Sequence, residues 1–374
     1  MKVSEAGRLT IFSPSFDRGG VERMLAQLAR GLGDLGVAVD LVVNQRPPHF
    51  LDRLPSSVRV VELAALGDKP LEGAIRYLRS QRPRLLLSSK DVNNELALKA
   101  RARAGVDTFI WFRAAIAETS RVAGQVFWKR WQSFRRMRQI YPQADGIIAV
   151  SRDLARDVSE ITGIAEGLIR VAPNPVITPE MLELAAQPVS HPWLQEPGLP
   201  LILGIGRLAR VKNFSLLIQA FARVRRDLPC HLLVLGEGRE RRALERLAVR
   251  LGLGDDIGFP GFTDNPYAYL SRSRLFVSSS LAEGSPNALT EALALGTPVV
   301  ATDCLSGPRE ILQDGHYGPL VPLGDANALA EAMVRTLAAP PPADFLRQAA
   351  QAYTLEASAR EYAAILGLSQ GIET

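Results

Sequence analysis

The sequence predicts an α/β protein built from two parallel-sheet domains, and three observations point there. Short continuous apolar runs such as Leu201–Ile205 and Leu275–Val277 read as strands buried on both faces. Stretches of helical periodicity separate them, so strand and helix alternate along most of the chain. The length of 374 residues suits two domains of ordinary size. Prolines at 179, 188, 192, 197 and 200 mark a linker. The expected division is an N-terminal domain at 1–177, a linker at 178–200, a second domain at 201–352 and a terminal helical segment at 353–374.

In chain order, Leu9 to Pro14 reads as the first strand and Ser15 to Gly20 as a loop. Val21 to Leu35 follows as a helix with Val21, Met24, Leu25, Leu28 and Leu32 on one face. Val37 to Val43 completes a βαβ start, and Gly19-Gly20 at the helix entrance permits close backbone approach to a ligand above the sheet. Further strands are expected at 58–63, 85–88, 108–112 and 146–150.

The helix before Gly146 is unusual. From Thr119 to Ala144 there is no acidic residue, while Arg121, Lys129, Arg130, Arg135, Arg136 and Arg138 alternate with Phe127, Trp128, Trp131, Phe134 and Tyr141. Such a helix either lies in a lipid interface or packs its rings on its own sheet and leaves the cations in water. Ser151 then begins a helix, and Ile169 to Val171 is a short strand. Beyond the linker the alternation runs through strands at 201–205, 231–235, 257–259 and 275–277, with helices at 215–226 and 240–251. Pro298 to Ala301 is a strand and Ala326 to Leu337 a helix, with terminal helices through Ile365.

Net charge is +5, a modest excess that suits anionic ligands or an anionic membrane surface. No helix-turn-helix, zinc or RNA-recognition signature accompanies it, so nucleic acid is not expected as a partner. No run reaches the length of a membrane span, and Met1 to Ile11 has no signal-peptide core. Cys230 and Cys304 form no disulfide or zinc pattern, in agreement with a reducing compartment. The expected location is the cytoplasm.

The chemistry concentrates between Ser278 and Ile311. A buried strand runs into a loop holding Glu283 and Gly284, and Ser285-Pro286 is expected to cap a helix from Asn287 to Leu295. The free amides of that helix's first turn and its positive dipole end are expected to form an anion site beyond the carboxyl end of the strand. Glu283 and Glu291 flank it and are suited to accept hydrogen bonds from hydroxyls. A phosphorylated, polyhydroxylated ligand fits this set; taken singly, either glutamate reads as an ordinary surface charge.

Gly204-Ile205-Gly206-Arg207-Leu208-Ala209 matches the dinucleotide fingerprint in form only. Arg210 to Asn213 extends the loop before the next helix, and no acid ends the following strand at the required distance. Arg207 and Lys212 instead place two cations at a strand's carboxyl end. They suit a diphosphate leaving group, whose charge grows as its bond to carbon breaks. No Asp-x-Asp pair is present to hold a metal against the phosphates, so neither metal nor cofactor is expected.

Together these motifs resemble the retaining, nucleotide-sugar-dependent glycosyltransferases of the family 4 type. The resemblance is carried by Gly19-Gly20-Val21-Glu22-Arg23, Pro173-Asn174-Pro175, Gly206-Arg207 with Lys212-Asn213, Gly236-Glu237-Gly238, Gly261-Phe262, and Glu283-Gly284 with Glu291. It implies the GT-B fold, two Rossmann-like domains facing a cleft, with the last helix crossing back to the N-terminal domain. It implies that Arg207 and Lys212 bind the donor diphosphate, Glu291 the ribose, Glu283 the transferred sugar and the backbone around Phe262 the base. The segment Ser285 to Ala288 would bind phosphate through the amides of Ser285, Asn287 and Ala288, with Pro286 as a non-donating member of it, Gly206 would join them, and Gly19 and Gly20 would lie beside the reaction centre. Many relatives place a histidine after the strand corresponding to 108–112. Here Arg113 follows, and Arg113 and Glu118 are the candidates for acceptor binding.

The implied activity is transfer of a hexose or N-acetylhexosamine from a nucleoside diphosphate, UDP foremost, to a lipid-linked or polysaccharide sugar, at the inner face of the membrane. A nucleotide-sugar epimerase or hydrolase and a silent nucleotide-sugar-binding module are the alternatives.

Overall fold

The structure is a computed structural model that describes residues 8–16, 19–46, 50–51, 53–117, 119, 127–195 and 198–368. Its contacts divide into two units, residues 1–176 with 353–374, and residues 177–352.

The first unit follows the alternation read from the sequence. β1 (Leu9–Phe12), α1 (Gly20–Asp34), β2 (Val39–Val43), β3 (Val58–Glu62), α2 (Pro70–Gln81), β4 (Leu85–Ser89), α3 (Asp91–Ala104) and β5 (Phe109–Ala114) come first. α4 (Phe127–Ile140), β6 (Gly146–Ala149), α5 (Arg152–Thr162) and β7 (Ile169–Val171) complete it. The strands form one seven-stranded sheet in the order β3-β2-β1-β4-β5-β6-β7, and every pair is parallel. Alternate residues of each strand serve two apolar layers. Leu9 and Ile11 face the core made with Leu25, Leu28 and Leu32 of α1, whereas Phe12, Leu86, Ile110 and Phe112 face the opposite core with Ala97 and Ala100 of α3. Burial on both faces explains why the strands read as unbroken apolar runs.

The C-terminal helix Leu355–Ile365 belongs to this unit. Thr354 caps it by accepting from the amide of Ala357, and Ala359, Tyr362 and Ala363 are fully buried beside α1. A β-carbon on Gly31 of α1 would stand 3.0 Å from the Ala359 methyl, so the two helices meet at near-backbone distance.

The second unit opens with the proline-rich stretch, which is built into it and does not stand free. α6 (Glu180–Ala186) packs on α10 (Tyr267–Leu270), the Asn265 side-chain amide donates to the Leu184 carbonyl at 2.8 Å, and Trp193 of α7 (Pro192–Gln195) stacks on His231 at 4.1 Å. Apolar residues between the prolines give this segment a face to bury. β8 (Leu201–Ile205), α8 (Phe214–Asp227), β9 (His231–Leu235), α9 (Arg241–Arg250), β10 (Ile257–Gly261) and β11 (Leu275–Ser278) follow, with α10 before β11. α11 (Asn287–Ala294), β12 (Val299–Thr302), α12 (Pro308–Ile311), β13 (Leu320–Val321), α13 (Ala326–Ala338) and α14 (Ala343–Gln348) end the unit. Its six-stranded parallel sheet has the order β10-β9-β8-β11-β12-β13. In each sheet the order reverses beside the first strand, between β1 and β4 and between β8 and β11. The crevice at the carboxyl ends of such strands is where open α/β sheets hold ligands.

Two expectations need correction. Ser285 does not cap α11: the N-cap is Pro286, with extended dihedrals and no side-chain cap bond. Arg113 does not follow its strand but lies within it, in register with Ser89 of β4, because β5 runs on to Ala114.

Candidate functional site

The carboxyl end of β8 and the carboxyl end of β11 are neighbours in the second sheet, and this places the sequence-predicted residues together. Gly206 follows β8, and the chain then turns through a short helical turn at Arg210–Lys212 into α8. Gly206 has φ +154, and a β-carbon there would lie 3.1 Å from Lys212 Cε. Glycine at this position leaves room for the lysine stem to run alongside the strand end.

Lys212 Nζ donates to Glu283 Oε1 at 2.6 Å, and the Ser280 hydroxyl donates to the same oxygen at 2.5 Å. The Lys212 and Glu283 side chains are 25 % and 12 % exposed, so the pair lies in the crevice and not in open solvent. With Pro286 and Ala288 of the helix mouth they line a cavity of about 20 Å³. The Cys304 thiol nearby is pushed up to about 12, first by burial and then by the Glu283 carboxylate, and so stays protonated at neutral pH.

Glu291 sits inside α11 and is only 2 % exposed, which removes the surface-charge reading. Arg207 is exposed just beyond β8, and among the described residues its side chain makes no ion pair or hydrogen bond. Phe262 follows β10 and is 58 % exposed. Lys212, Glu283 and Ser280 thus meet Pro286 and Ala288 of the α11 mouth at the ends of β8 and β11, while Arg207 follows β8 and Glu291 lies within α11. Ser280 was missed. Its only signal was the run Ser278-Ser279-Ser280 after an apolar strand, which reads as a polar loop.

In the first unit, Gly19 is the N-cap of α1 and Gly20 its first residue, and no side chain caps them. Glu22 in the first turn is buried and pairs with Lys90, which also donates to the Ser15 carbonyl at 3.2 Å. Arg113 is withdrawn from the surface. It is 2 % exposed, its Nε donates to the Tyr362 hydroxyl at 2.8 Å and its Nη2 to Asn174. It therefore fastens the C-terminal helix to the sheet and offers no cation to an acceptor. Glu118 lies outside the described residues.

The basic aromatic helix divides by face. Met137 and Ile140 of α4 are buried, with Phe134 packed against the same core. Trp128 and Trp131 are 74 % and 46 % exposed, beside exposed Lys129, Arg130 and Arg135. The Arg135 guanidinium lies 5.2 Å from the centre of the Trp131 ring. No helix among the described residues is long and apolar enough to cross a membrane.

Comparison with known proteins agrees with the resemblance. A glycosyltransferase family 4 model matches residues 18–179 and a glycosyl transferases group 1 model matches residues 199–339. The chain is 32 % identical over 194 residues to N-acetylgalactosamine-N,N'-diacetylbacillosaminyl-diphospho-undecaprenol 4-alpha-N-acetylgalactosaminyltransferase of Campylobacter jejuni, covering 52 % of this chain and 51 % of that protein. It is 38 % identical over 140 residues to the lipopolysaccharide core biosynthesis glycosyltransferase LpsE of Rhizobium meliloti, covering 37 % and 40 %. The chain thus spans about half the length, or less, of these curated relatives.

Among solved structures, a sucrose-phosphate synthase from Thermosynechococcus elongatus superposes with a TM-score of 0.76 at 22 % identity, over 96 % of this chain and 98 % of that one. Anabaena HepE in complex with UDP and glucose gives 0.74 at 18 % identity, over 96 % and 99 %. The two family models cover both halves, and the fold is that of their structural neighbours: the chain belongs to the family 4-type glycosyltransferases of the GT-B fold.

Proposed function

We propose that this protein is a retaining glycosyltransferase that moves a hexose or N-acetylhexosamine from a nucleoside diphosphate, UDP foremost, to a lipid-linked or polysaccharide sugar. The observation that carries the reading is the meeting of Lys212, Glu283 and Ser280 at the mouth of α11. A diphosphate at the mouth draws Lys212 from Glu283, and the freed carboxylate oxygen then accepts from the hydroxyls of the transferred sugar. Arg207 and Lys212 stabilise the charge that grows on the leaving diphosphate, and the helix dipole of α11 adds to it. Glu291 holds the ribose and the backbone around Phe262 the base.

The substrate class draws support from the relatives, one named for an undecaprenol-linked acceptor and one for lipopolysaccharide core. UDP draws support from the HepE complex. The outer face of α4 supports a peripheral position on an anionic membrane, at its cytoplasmic face.

A thermal-shift screen of UDP-, GDP- and ADP-sugars tests the donor, because a bound ligand raises the melting temperature by mass action. UDP-sugars are expected to stabilise, and no shift with any nucleotide sugar ends the proposal. UDP release from the stabilising donor, measured with and without candidate glycolipid acceptors, then separates transfer from hydrolysis and from silent binding. Lys212→Ala is expected to lower turnover by about 100-fold or more with the melting temperature nearly unchanged, the scale of losing one transition-state charge contact. An unchanged rate removes the diphosphate role.

A further inference from the structure

Glu283 stands on the loop between β11 and α11, and that loop is gripped from two sides. On one side is the 209–213 turn that carries Lys212: the Leu281 amide donates to the Val211 carbonyl at 2.8 Å and the Ser279 hydroxyl to the Lys212 carbonyl at 2.9 Å. On the other side is the segment from Thr302 to Pro308, to which the reading above gives no role. Its contacts run the length of the Glu283 loop. Thr302 Oγ1 donates to the Ser280 carbonyl at 2.6 Å, Ala282 and Leu305 form an isolated parallel bridge, and the Ser306 hydroxyl donates to the carbonyl of Glu283 itself.

The segment adopts an unfavourable backbone to make these contacts. Ser306 has φ +59 and Gly307 φ +93, two left-handed residues in succession of which one carries a side chain. A β-carbon on Gly307 would overlap Cδ of Pro286, so the turn lies flat against the residue that opens α11. Ser306 is 1 % exposed. Arg309 secures the base of the turn by pairing with Asp303 and, at 2.9 Å, with Asp314. A connection that only joined a strand to a helix needs neither a left-handed serine nor a hydroxyl committed to the neighbouring loop. Such strain persists where surrounding contacts hold it, and it concentrates at functional sites.

We infer that Ser306 and Gly307 are positioning residues for Glu283, holding its backbone at the height from which the carboxylate reaches the transferred sugar. The inference rests on the proposed contact between Glu283 and that sugar. Lys212 and Ser280 orient the side chain, whereas Ser306 and Gly307 fix the main chain beneath it. The two grips differ in what they hold: the 209–213 turn carries Lys212, the residue assigned to the diphosphate, whereas the Ser306 hydroxyl bonds the main chain of Glu283, the residue assigned to the sugar.

That division provides the test. Affinities for UDP and for UDP-glucose, UDP-galactose and their N-acetylated forms are measured by calorimetry on the full chain and on Ser306→Gly, Gly307→Ala and Glu283→Gln. Ser306→Gly removes the hydroxyl while easing the left-handed backbone, so it is expected to fold even where Gly307→Ala does not. In the wild type one UDP-sugar has a characteristic affinity relative to UDP, and Glu283→Gln is expected to shift that ratio. Ser306→Gly is expected to shift it in the same direction by about fivefold, the scale of one hydrogen bond, with UDP affinity unchanged. Gly307→Ala, where folded, is expected to follow. If Glu283→Gln moves the ratio and Ser306→Gly does not, the positioning role is overturned and the sugar contact stands. An equal loss for UDP and UDP-sugar in Ser306→Gly overturns it as well, since that is general loosening of the site. If Glu283→Gln leaves the ratio unmoved, the sugar contact and the positioning role fall together.

Discussion

Arg113 shows how far a single residue's role depends on its surroundings. In sequence it is a cation after an apolar run, where a ligand contact is expected. In the fold it is buried with Tyr362 and Asn174 as hydrogen-bond partners, and its Nη1 has none among the described atoms. Arg113→Met would remove the guanidinium donor from the Tyr362 hydroxyl and from the Asn174 side-chain oxygen. The expected loss is ~2–3 kcal/mol by denaturant titration, since a hydrogen bond to a charged group is worth about 1.5–3 kcal/mol and the Tyr362 hydroxyl loses its donor. Adding Tyr362→Phe to Arg113→Met is expected to recover part of that loss, because it removes one stranded group. A further loss of the same size in the double variant would show that the two side chains do not act through each other.

α4 illustrates the element scale, since its two faces answer to different rules. Phe134, Met137 and Ile140 hold the helix to the core, which accounts for half of its aromatic and apolar content. Trp128 and Trp131 lie three residues apart with Arg135 four beyond, so they share a stripe, and both rings are exposed. The full chain is expected to sediment with phosphatidylglycerol vesicles at low salt and to be released as salt rises, because screening shortens the reach of surface charge. Trp128→Ala with Trp131→Ala is expected to weaken this binding without lowering the melting temperature. No binding to anionic vesicles assigns the outer stripe to water, and equal binding to neutral ones removes the role of its cations.

At the scale of the whole molecule, the chain leaves its first unit, builds the second and returns. The C-terminal helix contributes Ala359, Tyr362 and Ala363 to the core that contains Leu25, Leu28 and Leu32. Truncation after residue 352 is therefore expected to destabilise the first unit by more than ~3 kcal/mol, since burying one large apolar side chain is worth about 1.5–3 kcal/mol. Calorimetry of the truncated chain checks this. An unaltered transition would mean that the helix merely lies on the surface.

The sequence by itself determined the alternation of strand and helix, the parallel character of both sheets and the placement of Lys212 and Glu283 at strand ends of one domain. These are local or motif-level facts: continuous apolar runs mean strands buried on both faces, and residues flanking strand ends in an open α/β sheet converge. It misjudged the proline-rich stretch because proline punctuation is local, whereas the apolar face that binds α6 to α10 is met only in three dimensions. Only the tertiary structure decided that β5 continues through Arg113, since a strand's end is set by the neighbour it pairs with, here β4. It alone brought Ser306 to the carbonyl of Glu283, 23 residues away along the chain. Side-chain type and spacing announce which groups can do chemistry; which backbone holds them in place follows from sheet order, and sheet order is long-range.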